Sequence, residues 1–196
     1  LRVVIDQLQR VEKKPGADHL TRAVDYIESL SRSYISEDRV EEEGTEQHVG
    51  KESVSTAVFA QTLKQMFAEE AMQKKIRFDV RCADYPIVVE PLSTMRVMTN
   101  LIGNALTHAE ATRLLVGFRL AGNRVVFQVH DNGLGMDDET LARSLLSGVK
   151  GPDSEGQGLG LKIVQELCSA QDMPFTICSI LGRGTSAYVE LLHDRG

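Results

Sequence analysis

Three short blocks in the second half of the chain most constrain how it can fold. They read N-L-I-G-N-A-L-T-H-A at 100–109, D-N-G-L-G-M at 131–136 and G-Q-G-L-G-L at 156–161. Each block alone is a weak motif. Their order places an Asn on a helix, an Asp at the end of a strand and a glycine-rich turn before a second helix. Together they predict a nucleotide pocket.

Composition describes an ordinary globular chain of 196 residues, 42% hydrophobic and 26% charged, which is long enough to bury a core. The net charge is −6 and no Lys/Arg-rich run occurs, which argues against nucleic acid as a partner. No apolar run reaches the roughly 20 residues that span a bilayer. Cys82, Cys168 and Cys178 form no CxxC pair, so we expect reduced thiols in a cytoplasmic domain and no cysteine metal site.

Residues 1–38 read as a helical hairpin, with apolar stripes of helical spacing on both sides of a Pro15-Gly16 turn. The narrow apolar face predicts homodimerisation into a four-helix bundle; packing on the rest of the chain is the alternative. Leu1 is not Met and already lies in the helical pattern, so we expect a piece of a larger protein. The acidic stretch 37–47 predicts a linker before a second domain at 46–196.

The second domain alternates helices and strands, and adjacent strand pairs indicate a mixed sheet with helices on one face. The expected class is α+β, a two-layer α/β sandwich preceded by the hairpin. About three helices (57–74, 92–108 and 159–170) and six strands (76–81, 86–90, 114–120, 124–131, 175–179 and 185–191) are predicted. The candidate core positions of the first helix are Val58, Leu63, Met66, Phe67 and Ala71, and the apolar side of the second includes Met98, Leu101, Ile102 and Ala105. Residues 137–140 look like a helix start, but the stretch 137–155 predicts a mobile lid, with an ordinary surface loop as the alternative.

The helix at 92–108 carries a polar stripe, because Arg96, Asn100, Asn104 and His108 recur every four residues. A solvent-facing stripe is one interpretation. Asn104 fits it poorly, since Asn is a weak helix former and apolar residues surround it. A buried amide without a partner costs about 1–3 kcal/mol, which a ligand could offset. Mg²⁺ accepts amide oxygens together with phosphate oxygens.

Asp131 ends a strand whose residues Val125, Phe127 and Val129 share its face. The carboxylate is therefore predicted to point into the core, where it needs a donor, and the exocyclic amine of a base is one candidate. His130 is predicted to point away. A hairpin turn at 131–133 is the alternative, although a helix start rather than a second strand follows it.

Gly156, Gly158 and Gly160 precede a helix, so their backbone N–H groups and the helix N-terminus can approach phosphates. The spacing is neither the GxGxxG of a dinucleotide-binding fold nor a P-loop.

These blocks resemble the N box and the two glycine boxes of sensor histidine kinases. The segment Gly182-Arg183-Gly184-Thr185 resembles the closing element of the same family. The resemblance covers about residues 50–192 and is specific for the wider GHKL, or Bergerat-fold, ATPase superfamily. The hairpin is similar to the dimerisation and phosphotransfer domain that precedes such a module.

The resemblance implies a role for each motif residue. Asn104 would be the Mg²⁺ ligand, and Asp131 would receive the adenine amine with Thr185 nearby. Gly133 and Gly135 would make room for the base. The remaining ATP-binding residues that it implies are Asn100, His108, Gly156, Gly158, Leu159 and Gly160.

Three departures from the family pattern stand out. None of His19, His48, His108, His130 and His193 has the acid and the Pro that accompany the phosphoacceptor, so we expect this His and its neighbouring acid to lie upstream of Leu1. Thr107 replaces a common Lys or Arg, and His108 is expected to contact phosphate instead. Leu145-Leu146 stands where the lid is usually anchored by an aromatic pair.

The function implied is a histidine kinase core that binds Mg-ATP. It would transfer the γ-phosphoryl group to a His on the hairpin and then to an Asp of a response regulator or receiver domain. A parent protein tethered at the inner membrane fits the same family. The alternatives are a non-catalytic regulatory homologue that binds nucleotide or a partner kinase, and a conformational GHKL ATPase module.

Overall fold

The structure, a computed structural model, describes residues 50–146 and 160–195 and contains one mixed sheet. The described strands are β1 (Glu52–Ser55), β2 (Arg77–Cys82), β3 (Pro86–Val89), β4 (Arg113–Ala121), β5 (Arg124–Asp131), β6 (Phe175–Ile180) and β7 (Gly184–His193). The described helices are α1 (Thr56–Gln73), α2 (Pro91–His108), α3 (Asp138–Leu146) and α4 (Gly160–Ala170). The hairpin predicted at 1–38, and Gly156, Gly158 and Leu159, lie outside the described residues.

The strand order is β1-β3-β7-β5-β4-β2, and β6 pairs with β7 along the edge that β3 also uses. Among the described strands only β2 and β4 run parallel, and the other neighbours are antiparallel. This mixed sheet confirms the predicted α+β class. None of the helices in the described ranges is long and apolar enough to cross a bilayer.

The core lies between one face of the sheet and the helices. Val125, Phe127 and Val129 of β5 are buried. The strand register aligns all three with buried residues of β7, and Phe127 and Val129 also with buried residues of β4. Helix α2 packs over β4 and β5, α1 packs on β2, and α4 packs against α2. The positions predicted to be the buried side of α2 are all buried; they are Met98, Leu101, Ile102 and Ala105.

The structure corrects the prediction for two elements and for one core position. Strand β1 was not predicted, because its four residues Glu-Ser-Val-Ser carry one apolar side chain. Helix α3 occupies the first half of the stretch predicted to be a lid loop, and Asp137 caps it by accepting a hydrogen bond from the Thr140 N–H at 2.8 Å. In α1 the core position belongs to Phe59, 3% exposed, rather than to the predicted Val58, 37% exposed.

Thr56, the first residue of α1, is fully buried and ties the helix to the connection between β2 and β3. Its hydroxyl donates to the Ala83 carbonyl at 3.1 Å and accepts from the Tyr85 N–H at 2.9 Å. Its own N–H donates to the Tyr85 carbonyl at 2.9 Å. Because this buried hydroxyl pairs with both groups, its removal takes a hydrogen-bond partner from the Ala83 carbonyl and from the Tyr85 N–H.

We expect Thr56→Val to lower the free energy of unfolding by about 1–3 kcal/mol, because the shape is kept while the hydrogen bonds of a buried hydroxyl are lost. Thr94→Val is the matched control. Thr94 is equally buried and helical, but within the described residues its hydroxyl hydrogen-bonds only the Met173 sulfur, at 3.9 Å. The control should cost less than about 1 kcal/mol. Urea unfolding of both variants checks this, and equal losses would contradict it.

Candidate functional site

Three polar side chains form a row across the helix-covered face of the sheet, where β5 ends. Ser179 of β6 lies opposite Thr185 of β7 in the strand register. His130 pairs with Ser186, so Asp131 follows beside Thr185. Alternation along the strands puts Asp131, Thr185 and Ser179 on the face of Val129 and Ala187. The sequence motifs include Asp131 and Thr185, but not Ser179.

The Asp131 carboxylate points into the core, as predicted, and is partly exposed. Its Oδ1 accepts hydrogen bonds from the Gly133 N–H at 2.9 Å and the Thr185 N–H at 3.2 Å. Within the described residues both hydrogen bonds go to Oδ1, which leaves Oδ2 for a ligand. The hairpin-turn alternative is wrong, since a loop and α3 follow β5.

Burial raises the pKa of Asp131 above its ordinary value, and the two backbone donors only partly offset this effect. A partly desolvated carboxylate at the edge of a core binds a neutral N–H donor more strongly than an exposed one does. The position is therefore suited to recognising an amine or amide group of an uncharged ring.

The Ser179 hydroxyl connects the row to the loop that follows β5. It accepts a hydrogen bond from the Met136 N–H at 2.8 Å, lies 2.8 Å from the Thr185 hydroxyl and is 3.4 Å from the Gly184 carbonyl. The sequence gives no signal for Ser179, because its partners come from two other segments, the loop after β5 and the start of β7.

His130 points to the opposite face of the sheet, as predicted. Its Nδ1 lies 2.9 Å from the Ser186 hydroxyl, and its ring contacts Tyr188 edge-on at 5.3 Å. Burial and the positive charge of Arg119 lower the pKa of His130, and Asp131 opposes them. The ring is therefore outside the row that contains Asp131.

Gly133 and Gly135 are required by close backbone approach. A Cβ at Gly133 would overlap the carbonyl of Ala109, just after α2. A Cβ at Gly135, which has φ +64°, would overlap the carbonyl of Ile180. The space that these glycines leave is thus occupied by backbone of the same chain, and their predicted role of making room for a base stays a prediction.

Asn132 holds the same region together, a role that the sequence analysis did not assign. Its Oδ1 accepts from the Thr112 N–H at 3.0 Å and the Arg113 N–H at 2.7 Å. Its Nδ2 donates to the Thr112 hydroxyl at 2.9 Å. The side chain therefore joins the end of β5 to the start of β4.

Asn104 lies on α2 against the first residue of α4. A Cβ built on Gly160 would lie 2.8 Å from Asn104 Oδ1, so any larger residue would force the amide to shift. No hydrogen bond to the Asn104 side chain occurs within the described residues. The structure thus brings the predicted residues Asn104 and Gly160 together and leaves the amide available to a ligand.

The other two predicted residues of α2 are placed differently. Asn100 Nδ2 donates to the Arg96 carbonyl within the helix at 2.7 Å. His108 is exposed at the end of α2. Their roles in binding ATP remain predictions.

Comparisons with known proteins point to one family. The family model described as histidine kinase-, DNA gyrase B-, and HSP90-like ATPase matches residues 90–195. The methanogenesis regulatory histidine kinase FilI of Methanothrix harundinacea is 36% identical over 101 residues, 50% of this chain and 11% of FilI. The sensor histidine kinase RcsC of Escherichia coli is 24% identical over 200 residues, 95% of this chain and 21% of RcsC. The chain thus spans a small part of these relatives.

A solved structure shares the fold. The crystal structure of full-length ShkA in complex with AMPPNP superposes with a TM-score of 0.68 at 22% identity. The match covers 92% of this chain and 38% of ShkA.

We expect Gly133→Ala to lower the free energy of unfolding by about 1–3 kcal/mol or more, because the new methyl group overlaps rigid backbone at Ala109. Gly103→Ala is the control, since nothing lies within 4 Å of a Cβ at this position in α2. Alanine there should stabilise the helix by about 0.5–1 kcal/mol. Thermal unfolding followed by circular dichroism distinguishes the two, and a harmless Gly133→Ala would contradict the packing argument.

Proposed function

The chain belongs to the histidine kinase-, DNA gyrase B- and HSP90-like ATPase family, and we propose that it is the core of a two-component sensor histidine kinase that binds ATP with Mg²⁺. One observation supports the proposal: two complementary groups lie on β5 and α2, which pack against each other. One is the half-buried Asp131 next to Thr185. The other is the Asn104 amide next to Gly160.

Asp131 suits the adenine end of the ligand. Its Oδ1 is held by two backbone N–H groups, so the orientation of the carboxylate is set before a ligand arrives. Its Oδ2 can then accept a hydrogen bond from the exocyclic amine of adenine. A base with a carbonyl in place of this amine would put two acceptors against each other, which a half-buried site disfavours strongly.

We expect Asp131→Asn to weaken ADP binding by about 10–100-fold, because a charge-assisted hydrogen bond is lost. The fold should survive, since Asn Oδ1 can still accept from Gly133 and Thr185. Asp79→Asn, on the other face of the sheet beside Arg77, is the charge-matched control. Calorimetric titration with ADP measures both variants, and an unchanged affinity in Asp131→Asn would contradict the assignment of Asp131 as the acceptor for the adenine amine.

The same carboxylate gives a pH dependence with a defined sign. The ionised form accepts the amine, and burial raises the pKa of Asp131. ADP affinity should therefore fall as pH drops through this raised pKa, earlier than for an exposed Asp. In the ligand-free protein, Asp131 ionises less readily in the folded state than in the unfolded state, so its ionisation lowers the free energy of unfolding as pH rises. Asp131→Asn removes this charge and should therefore not lower stability at neutral pH through its loss.

Asn104 suits the phosphate end. Its amide oxygen is a ligand type that Mg²⁺ accepts together with phosphate oxygens. Bound Mg²⁺ would neutralise phosphate charge. Asn104 would orient the ion, and Gly160 would let the N-terminus of α4 approach the phosphates.

We expect Asn104→Ala to remove the gain in nucleotide affinity that Mg²⁺ gives the wild type. The ligand-free fold should be as stable or more stable, since Ala is the better helix former. Asn123→Ala, which removes the same side chain at the β4–β5 turn, should keep the Mg²⁺ effect. Titrations with and without Mg²⁺ measure it. A collapse of thermal stability without nucleotide would show instead that Asn104 is structural.

Phosphoryl transfer follows from the same proposal. The His imidazole of a helical hairpin would attack the γ-phosphorus of ATP, ADP would leave, and an Asp of a response regulator would then take the phosphoryl group. Such a step needs mainly alignment and charge neutralisation. We propose that residues 1–38 belong to this hairpin and mediate homodimerisation, and that the domain works in the cytoplasm.

The 196-residue chain should bind ATP but not label itself on a hairpin His, because no His in 1–38 has the acid and Pro neighbours of a phosphoacceptor. A version extended upstream to include such a His should become labelled. Incubation with radiolabelled ATP tests both versions. Acid-labile label on the short chain would contradict the prediction. No label on the long version, despite bound ATP, would favour the non-catalytic regulatory alternative.

A further inference from the structure

We propose that Ser179 is a positioning residue that fixes the Thr185 hydroxyl as a hydrogen-bond donor toward the adenine ring. The inference rests on the proposed function and adds to it a residue that determines how the base is recognised. It starts from the position of Ser179 in the row with Thr185 and Asp131 on the helix-covered face of the sheet.

The Ser179 hydroxyl has one proton and two lone pairs to share among its neighbours. The Met136 N–H, at 2.8 Å, can only donate, so it occupies one lone pair. The Thr185 hydroxyl, also at 2.8 Å, can donate or accept. The Gly184 carbonyl can only accept, but it lies at 3.4 Å, where a hydrogen bond is weak.

The short distance to Thr185 makes this hydroxyl the better acceptor for the Ser179 proton. When Ser179 donates to Thr185, the proton of Thr185 is not needed within the row and can point to a ligand. In the opposite arrangement the Thr185 hydroxyl donates to Ser179, and the Ser179 hydroxyl must then donate to the distant Gly184 carbonyl. The geometry therefore favours a Thr185 that acts as a donor.

The chemistry of adenine requires this polarity. On its Watson–Crick edge the amine at C6, a donor, lies beside ring nitrogen N1, an acceptor. If Asp131 accepts from the amine, a neighbouring hydroxyl that faces the same edge must donate to N1. On guanine both polarities are reversed. Asp131 and a Thr185 oriented by Ser179 together match adenine and oppose guanine.

Ser179 also anchors the loop that leads to α3. The Met136 N–H that it binds follows Leu134, whose carbonyl accepts from the Gly182 N–H. The Met136 sulfur contacts the Ser144 hydroxyl of α3 at 3.8 Å. A single hydroxyl thus connects the base-recognition row to the segment that starts α3.

The test compares ADP with 1-deaza-ADP, in which C–H replaces ring nitrogen N1, by calorimetry on the 196-residue chain. The preference for ADP is the ratio of the affinity for ADP to the affinity for 1-deaza-ADP. This ratio should be about threefold to tenfold larger in the wild type than in Ser179→Ala, as expected for one neutral hydrogen bond. Because each variant meets the same two ligands, intrinsic differences between the ligands cancel. Ser179→Thr, which keeps a hydroxyl, should restore the preference.

Ser186→Ala is the matched control, because it removes a serine hydroxyl from the opposite face of β7 and should keep the wild-type preference. Thr185→Val should lose the preference as Ser179→Ala does. A lower ADP affinity in Ser179→Ala with an unchanged preference would overturn the proposal and leave a structural role. If Ser179→Ala does not fold, Ser179→Cys, a much weaker donor, replaces it with the same expectations. A wild type that binds no ADP would refute the proposed function itself, and this inference with it.

Discussion

The close approach of three backbone segments around the end of β5 is the constraint on which the candidate site depends. The loop after Asp131 lies against the Ala109 carbonyl at Gly133 and against the Ile180 carbonyl at Gly135. A Cβ at Gly184 would likewise overlap the Asp131 carbonyl. Because side chains are excluded at these points, the N–H groups of Gly133 and Thr185 can both reach the Asp131 carboxylate.

The two ends of the site are built by different means. Sheet register sets the proposed base end, since pairing across β5, β7 and β6 puts the three polar side chains side by side. Helix packing sets the proposed phosphate end, where α4 begins in contact with Asn104 of α2. The register of a sheet with one buried face is strongly specified, so the base end is held rigidly. The start of α4 can move relative to α2 without breaking any strand pairing.

Sequence patterns predicted the elements with strong periodicity. Helix α2 and strand β5 match their predicted bounds closely, because both carry long apolar patterns that bury one face. Strand β1 has too few apolar residues to show a period, and it exists because β3 offers it a free edge. Helix α3 was recognised only by its acidic start. In α1, choosing Phe59 rather than Val58 for the core needs the exact rotation of the helix on β2, which spacing leaves open.

By itself, the sequence determined the class of the fold and the residue types at both ends of the site, because each motif is local and its chemistry can be read from a few neighbours. Asp131 was predicted to face inward from alternation alone, and it does. The tertiary structure decided what these residues touch. It gave Gly133 and Gly135 backbone neighbours, made Asn132 a link to β4, and placed Ser179 between Met136 and Thr185. Such contacts join segments far apart in the chain, so their identity depends on strand order and register, which no local pattern encodes.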